Sequence, residues 1–105
     1  MKEIIEIVTT ADERGVIQRI GEELVEKKLV ACAQIVGPIR SIYRWKGKVE
    51  QTDEWLLLMK SKSSLYPVIE DEIKRLHPYE VPEIIAIGLS RGLPEYMNWV
   101  AEETI

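Results

Sequence analysis

The residues from Val49 to Lys60, "VEQTDEWLLLMK", change character half-way along, and that change constrains the fold more than any other feature of the chain. In an extended strand Val49, Gln51, Asp53, Trp55, Leu57 and Met59 share one face, whereas Glu50, Thr52, Glu54, Leu56, Leu58 and Lys60 share the other. Near Val49 both faces are mostly polar; near "WLLLMK" both are apolar. Such a strand is buried on both faces at one end and projects at the other. The segment "KGK" just before it is a turn signal, and "IRSIYRW" before that is strand-like, so the three form an extended hairpin. A projecting tip of this kind predicts contact with another subunit. Asp53 and Glu54, set in the polar half, read as solvated surface charge.

The remaining elements fall on either side of the hairpin. "EIIEIV", Glu3 to Val8, is β-branched and acidic and predicts a short strand, which "TTADERG" stops. Thr10 with Glu13 fits a capping box, followed by a helix from about Glu13 to Lys28 in which Val16, Ile17, Ile20, Leu24 and Val25 recur at helical spacing. "LVACAQIV" and "IRSIYRW" are separated by Gly37-Pro38, a dipeptide that breaks or bends a strand because proline donates no ladder hydrogen bond. Ser63 or Ser64 is placed to cap the next helix, with Pro67 in its first turn and Leu65, Val68, Ile69, Ile73 and Leu76 as its apolar stripe. Pro78 disfavours helical geometry at His77 and ends that helix. "EIIAIGL" is a last core strand, and "LPEYMNWVAEETI" a short helix begun near Pro94. The order predicts one α+β domain over residues 1–105, a ferredoxin-like βαββαβ arrangement with a long β-hairpin and a short C-terminal helix. That architecture hosts many functions and does not choose among them.

Composition removes several classes of function. A chain of 105 residues buries roughly two thirds of its unfolded surface and has room for one core. Its 46% apolar and 30% charged residues are a globular balance, and its apolar runs fall well short of the ~20 residues a membrane helix needs. The opening "MKEIIEIVTT" lacks the basic and apolar regions of a secretory leader, so the expected compartment is the cytoplasm. Cys32 is the only cysteine, which excludes an internal disulfide and a CxxC motif. With a net charge of −4 and acids and bases interspersed, the chain offers no basic footprint for nucleic acid or an anionic membrane, and "WLLLMKS" lacks the aromatic pattern of an RNA-recognition strand.

Few residues could carry chemistry. The only histidine, His77 in "LHPYEVPEI", is a candidate metal ligand with Cys32 and with Glu80, three residues further on. A histidine beside a proline is more often a loop residue bonded to backbone, and a cysteine between two alanines in a strand more often a small buried hydrophobe. One chain with these donors alone cannot close a transition-metal site; neighbouring subunits, further carboxylates or water would have to complete it. No serine stands in a GxSxG setting and no glycine loop could cradle a phosphate, so no enzymatic activity is expected. Tyr43 and Trp45 share one strand face, with Trp55 expected across the hairpin as a cross-strand partner; aromatic residues beside Arg40 and Arg44 are also the composition of protein interfaces.

The stretches "LVACAQI", "SIYRWKGKVEQTDEWLLLMKS", "LHPYEVPEI" and "YMNWV" together resemble the CutA family of divalent-cation tolerance proteins over essentially the whole chain. The specific part is the combination of an A-C-A strand, a Y-x-W-x-G-K hairpin turn, a K-[ST] strand end and an H-P-Y-x-x-P-E loop. The resemblance implies a ferredoxin-like protomer, a homotrimer knitted by long hairpins, and a cytoplasmic role in tolerance of copper or another divalent cation, with no defined reaction. It also implies likeness to PII signalling trimers, which bind small ligands between subunits. His77, Pro78, Tyr79, Pro82 and Glu83 match the family loop, and Cys32 its strand cysteine. Where some relatives carry a further cysteine or a second histidine, this chain has "VTT" and Leu76, which weakens the case for a tight soft-metal site. The expected protein is a non-enzymatic homotrimer whose partners are itself and divalent metal ions. Its three clefts would be lined by Tyr43, Trp45, Lys60 and Tyr79, with His77, Glu80 and Cys32 as candidate metal residues. The alternatives are a PII-like binder of a small anionic metabolite, held by Lys60 and Arg44, and a trimer with no ligand.

Overall fold

The computed structural model describes residues 3–105. Four strands and three α-helices follow one another as β1 (Ile4–Ala11), α1 (Arg14–Glu26), β2 (Cys32–Trp45), β3 (Lys48–Lys62), α2 (Tyr66–Leu76), β4 (Ile84–Gly88) and α3 (Pro94–Glu102), with a 3-10 turn over Ser63–Leu65 leading into α2. The strands form one antiparallel sheet in the order β2-β3-β1-β4. This is the ferredoxin-like arrangement that the order of periodicities predicts.

Strand alternation divides the sheet into two unlike faces. Ile5, Ile7 and Ala11 of β1 and Leu57 and Met59 of β3 point to the helices, where they form one buried cluster with Ile17, Ile20 and Leu24 of α1 and Ile69 and Ile73 of α2. Each such side chain, fully withdrawn from water, contributes roughly 1.5–3 kcal/mol. Gly21 lets α1 lie close on the sheet: a Cβ there would stand 3.1 Å from the Ala33 side chain and 3.4 Å from Leu57. On the opposite face lie Glu6, Val8 and Thr10 of β1, Leu56, Leu58 and Lys60 of β3, and Ile85 and Ile87 of β4. α3 covers only one end of that face, where Lys62 Nζ donates to the Thr104 carbonyl and Tyr96 meets Cys32. Ile85 and Ile87 therefore remain 46% and 49% exposed.

The hairpin is longer than the body that carries it. β3 pairs with β1 only as far as Trp55 opposite Ala11, yet its pairing with β2 continues from Glu54 opposite Ile39 to Lys48 opposite Trp45. The unsupported arm is thus about 20 Å long, and the molecule measures 44 × 25 × 22 Å. Lys46 and Gly47 close it as a two-residue turn, both with positive φ (51° and 80°), the mirror-image turn whose twist suits paired strands.

Four local expectations are corrected. β1 runs through Thr9, Thr10 and Ala11, because these residues have partners in Leu57, Leu56 and Trp55; Thr10 is therefore a strand residue, and α1 begins after Glu13 with no side-chain cap. Ser63 and Ser64 cap nothing either: they lie in the 3-10 turn, and α2 starts from Leu65 with Pro67 in its first turn. Gly37 and Pro38, read as breaking or bending a strand, do not break it: the two segments are one continuous β2, with an irregularity between Val36 and Ile39. Trp55 is not the cross-strand partner of Tyr43 or Trp45, which face Glu50 and Lys48; it packs at the root of the arm against Gly37, where a Cβ would lie 2.6 Å from its ring, and under the Arg14 guanidinium, 5.6 Å from its centroid.

Candidate functional site

Pro78 and Pro82 hold the segment between α2 and β4 out of helical geometry, and His77 leaves α2 in an extended conformation (φ −85°, ψ 134°). That turn sends the His77 ring inward, where it is only 8% exposed. Its Nδ1 accepts the Tyr79 backbone N–H at 3.1 Å, so its proton sits on Nε2, which donates to the Thr10 carbonyl at 2.7 Å. The edge of one ring meets the other, with centroids of His77 and Tyr79 4.7 Å apart. His77 thus fastens the loop to the end of β1 and aims Tyr79 across the sheet.

Tyr79 reaches the root of the hairpin. Its hydroxyl donates to Glu54 Oε2 at 2.8 Å, and burial, followed by the neighbouring Glu54 carboxylate, pushes the phenol well above its ordinary range, so it stays a donor at any physiological pH. Glu54 is only 6% exposed. Between the loop and the arm lies a cleft of about 590 Å³, walled by Tyr43, Arg44 and Trp45 from β2, floored by Thr10 and Glu54, and rimmed by Glu80 and Glu83. Tyr43 is steadied by a 3.2 Å hydrogen bond between its hydroxyl and Thr52 Oγ1, and the Lys46 ammonium stands 5.7 Å from the centroid of the Trp45 ring.

The structure brings Tyr43, Trp45, Tyr79 and Glu80 together and puts Cys32 and Lys60 elsewhere. Lys60 pairs with Glu6 at 3.1 Å and donates to Gln34 at 3.3 Å, on the far side of the open sheet face. Cys32 lies opposite Lys60, its Sγ 3.6 Å from the Tyr96 hydroxyl, whose pKa is pushed up to about 12 by burial and then by that contact. His77 contacts Thr10, four residues beyond Glu6 on β1, so roughly 13 Å of strand separates the two ends. Both ring nitrogens of His77 are engaged, and among the described residues no three His, Cys, Asp or Glu side chains gather as a metal cluster. The donors that remain in the cleft are carboxylate oxygens, which suit a hard or borderline divalent cation, and not the nitrogen and sulfur set of a tight copper or zinc site.

Glu54 is the residue that sequence reasoning missed. It is a buried carboxylate, not a solvated one, because the register sets it beside Trp55 and Ala11 at the root of the arm and under Tyr79. Its place two residues before Leu56, on the same strand face, was the available signal.

An α+β ferredoxin-like domain, with an apolar sheet face that α3 covers only at one end and a cleft between a long hairpin and a proline-bounded loop, is the class that fold and site define. Comparison with known proteins narrows it. Residues 5–103 match the family described as CutA1 divalent ion tolerance protein. The chain is 41% identical over 104 residues to the divalent-cation tolerance protein CutA of Thermus thermophilus, covering 99% of each. It is 42% identical over 97 residues to protein CutA of Mus musculus, covering 92% of this chain and 54% of that one, so it spans about half the length of this mammalian relative. Among solved structures, CutA1 from Oryza sativa superposes with a TM-score of 0.95 at 33% identity, covering 99% of this chain and 95% of that one. The chain belongs to the CutA1 divalent ion tolerance family. The family and the Thermus relative are named for tolerance of divalent ions, and none of the names states a reaction.

Proposed function

We propose that this protein serves divalent-cation tolerance as a homotrimer, with divalent ions, copper among them, taken up weakly in clefts that neighbouring copies border. The observation that carries the reading is the half-covered sheet face. Ile85, Ile87 and Val36 are 44–49% exposed on it, beside the half-buried Leu56 and Leu58, while the arm exposes Ile42 and Val49, at 65% and 61%, on its other face. An apolar surface of this extent is the signature of an interface. A second copy supplies the cover most simply, because the same face then meets itself or its neighbour in closed symmetry. Three copies is the number that the family resemblance implies.

The charge in the cleft supports a cation over an anionic metabolite. Among the described lining residues, Glu54, Glu80 and Glu83 oppose the single Arg44, and Lys60, the other base considered for an anion, is held by Glu6 and Gln34. Exposed Glu80 and Glu83 are the oxygen donors free to turn toward an ion, and a second copy would supply the rest. Calorimetric titration of the wild type with copper and zinc tests this. Binding that weakens severalfold in a Glu80→Gln, Glu83→Gln double variant supports the reading; binding unchanged by that double variant removes the rim carboxylates from the site. A rise in melting temperature with anionic metabolites but not with metal ions would favour the PII-like alternative.

A further inference from the structure

We propose that the cleft between the arm and the 77–83 loop binds a linear aliphatic diamine or polyamine, one ammonium group seated on Glu54 and the chain laid along Tyr43 and Trp45 toward Glu80 and Glu83. The inference rests on the same cleft being a ligand site, as in the functional reading above, but not on assembly.

Glu54 carries the argument. It is 94% withdrawn from solvent, yet among the described residues its one side-chain hydrogen bond comes from the Tyr79 hydroxyl to Oε2. Tyr79 cannot supply the countercharge: its raised pKa keeps it a neutral donor. Glu54 itself lines the cleft, so its free oxygen has that space as its outlet. A buried carboxylate with a single neutral partner wants a cation that brings several N–H donors of its own, which is what an ammonium group does.

The walls of a single copy suit an organic cation better than a bare ion, which would need a second copy to complete its donors. A divalent metal needs several oxygen donors converging at little more than 2 Å, and the described residues gather no such set. What surrounds the approach to Glu54 is instead aromatic: Tyr79 above it, then Tyr43 fixed by Thr52, then Trp45. Methylene groups pack on such rings, and ammonium groups are attracted to their faces. Trp45 already shows this chemistry, since the Lys46 ammonium stands over its ring. The cleft's acids occur both on its floor, at Glu54, and on its rim, at Glu80 and Glu83, so a ligand with a charge at each end of an aliphatic chain matches it better than a single amine does.

The test is calorimetry on the full chain at fixed ionic strength with 1,8-diaminooctane, a chain long enough to run from Glu54 along the wall toward Trp45, its uncharged counterpart 1,8-octanediol, and magnesium chloride as competitor. The diamine binds and the diol does not. Glu54→Gln, which keeps the Tyr79 bond, weakens the diamine by about tenfold or more, the loss expected when a charge-assisted bond is removed. Trp45→Leu, on the solvent side of the wall, weakens it severalfold, and this variant decides the matter if Glu54→Gln melts at a lower temperature than the wild type. Equal affinity for diol and diamine, full affinity in Trp45→Leu, complete displacement by equimolar magnesium, or no heat with the diamine each overturns the proposal. Ligand-free mass reports assembly separately: a trimer that takes metal but no amine sinks only this inference, and a monomer that takes the amine sinks only the trimer.

Discussion

At the scale of single residues, His77 is a clasp. Its two hydrogen bonds join the loop to β1 and fix the direction of Tyr79. His77→Ala removes both and opens a small cavity, so it should lower stability by about 2–3 kcal/mol, read from the urea midpoint at an unchanged slope. A shift below half a kilocalorie would show that the loop is held by its prolines alone. Tyr79→Phe leaves the buried Glu54 without its donor and should lower stability by about 1–3 kcal/mol. The tyrosines also set an alkaline limit. Burial first, then acidic or thiol neighbours, raise the pKa of Tyr66 and of Tyr96 to about 12, and Tyr79 higher still. The neutral phenol is thus favoured in the folded state: its contribution is complete below the unfolded value near 10 and is lost as pH rises through the folded value. Denaturant midpoints should therefore fall between about pH 10 and 12, and fall less in a Tyr66→Phe, Tyr96→Phe double variant. Such roles were only partly legible in the sequence. "LHPYE" announces a stiff loop because proline restricts its predecessor, but nothing local says that the Thr10 carbonyl waits for the imidazole or that Glu54 is covered. Those are consequences of strand register, a long-range property.

At the scale of elements, the hairpin was legible, and so was a disturbance at Gly37-Pro38, though not whether it breaks or bends the strand. Alternation over "VEQTDEWLLLMK" predicts the strand, and Lys46-Gly47 the turn, because both signals are local. The ladder resumes at Ile39, so the irregularity does not end the strand. Its purpose is steric: Trp55 occupies the space that a side chain at 37 would need. Gly37→Ala puts a Cβ 2.6 Å from the Trp55 ring and should lower stability by about 1–3 kcal/mol through displacement of the indole, visible as a changed tryptophan emission at neutral pH. The apparent capping box at Thr10 fails for a related reason. A side-chain bond worth about 1 kcal/mol loses to continued pairing of Thr9 to Ala11 with β3.

At the scale of the whole molecule, the core explains why one face of the sheet is finished and the other is not. α1 and α2 supply enough apolar surface for the face holding Ile5, Ile7, Leu57 and Met59. α3 is nine residues long and closes only the end near Lys62 and Cys32. Element order makes the two-helix face legible, since a split βαβ pair puts both crossovers on one side. The sequence does not show how far α3 reaches, because its few apolar residues fit either face. Glu6 and Lys60, paired amid Val8, Leu58, Ile85 and Ile87, give the uncovered face a charged centre that would select one register in the proposed association. In the proposed trimer, copies of this chain cover that face for one another. Sedimentation equilibrium of the ligand-free wild type and of an Ile85→Arg, Ile87→Glu double variant addresses it directly. Three chain masses for the wild type, and a shift to one chain mass with a retained helical spectrum for the variant, is the predicted result; a wild type that sediments as a single chain at micromolar concentration would contradict it.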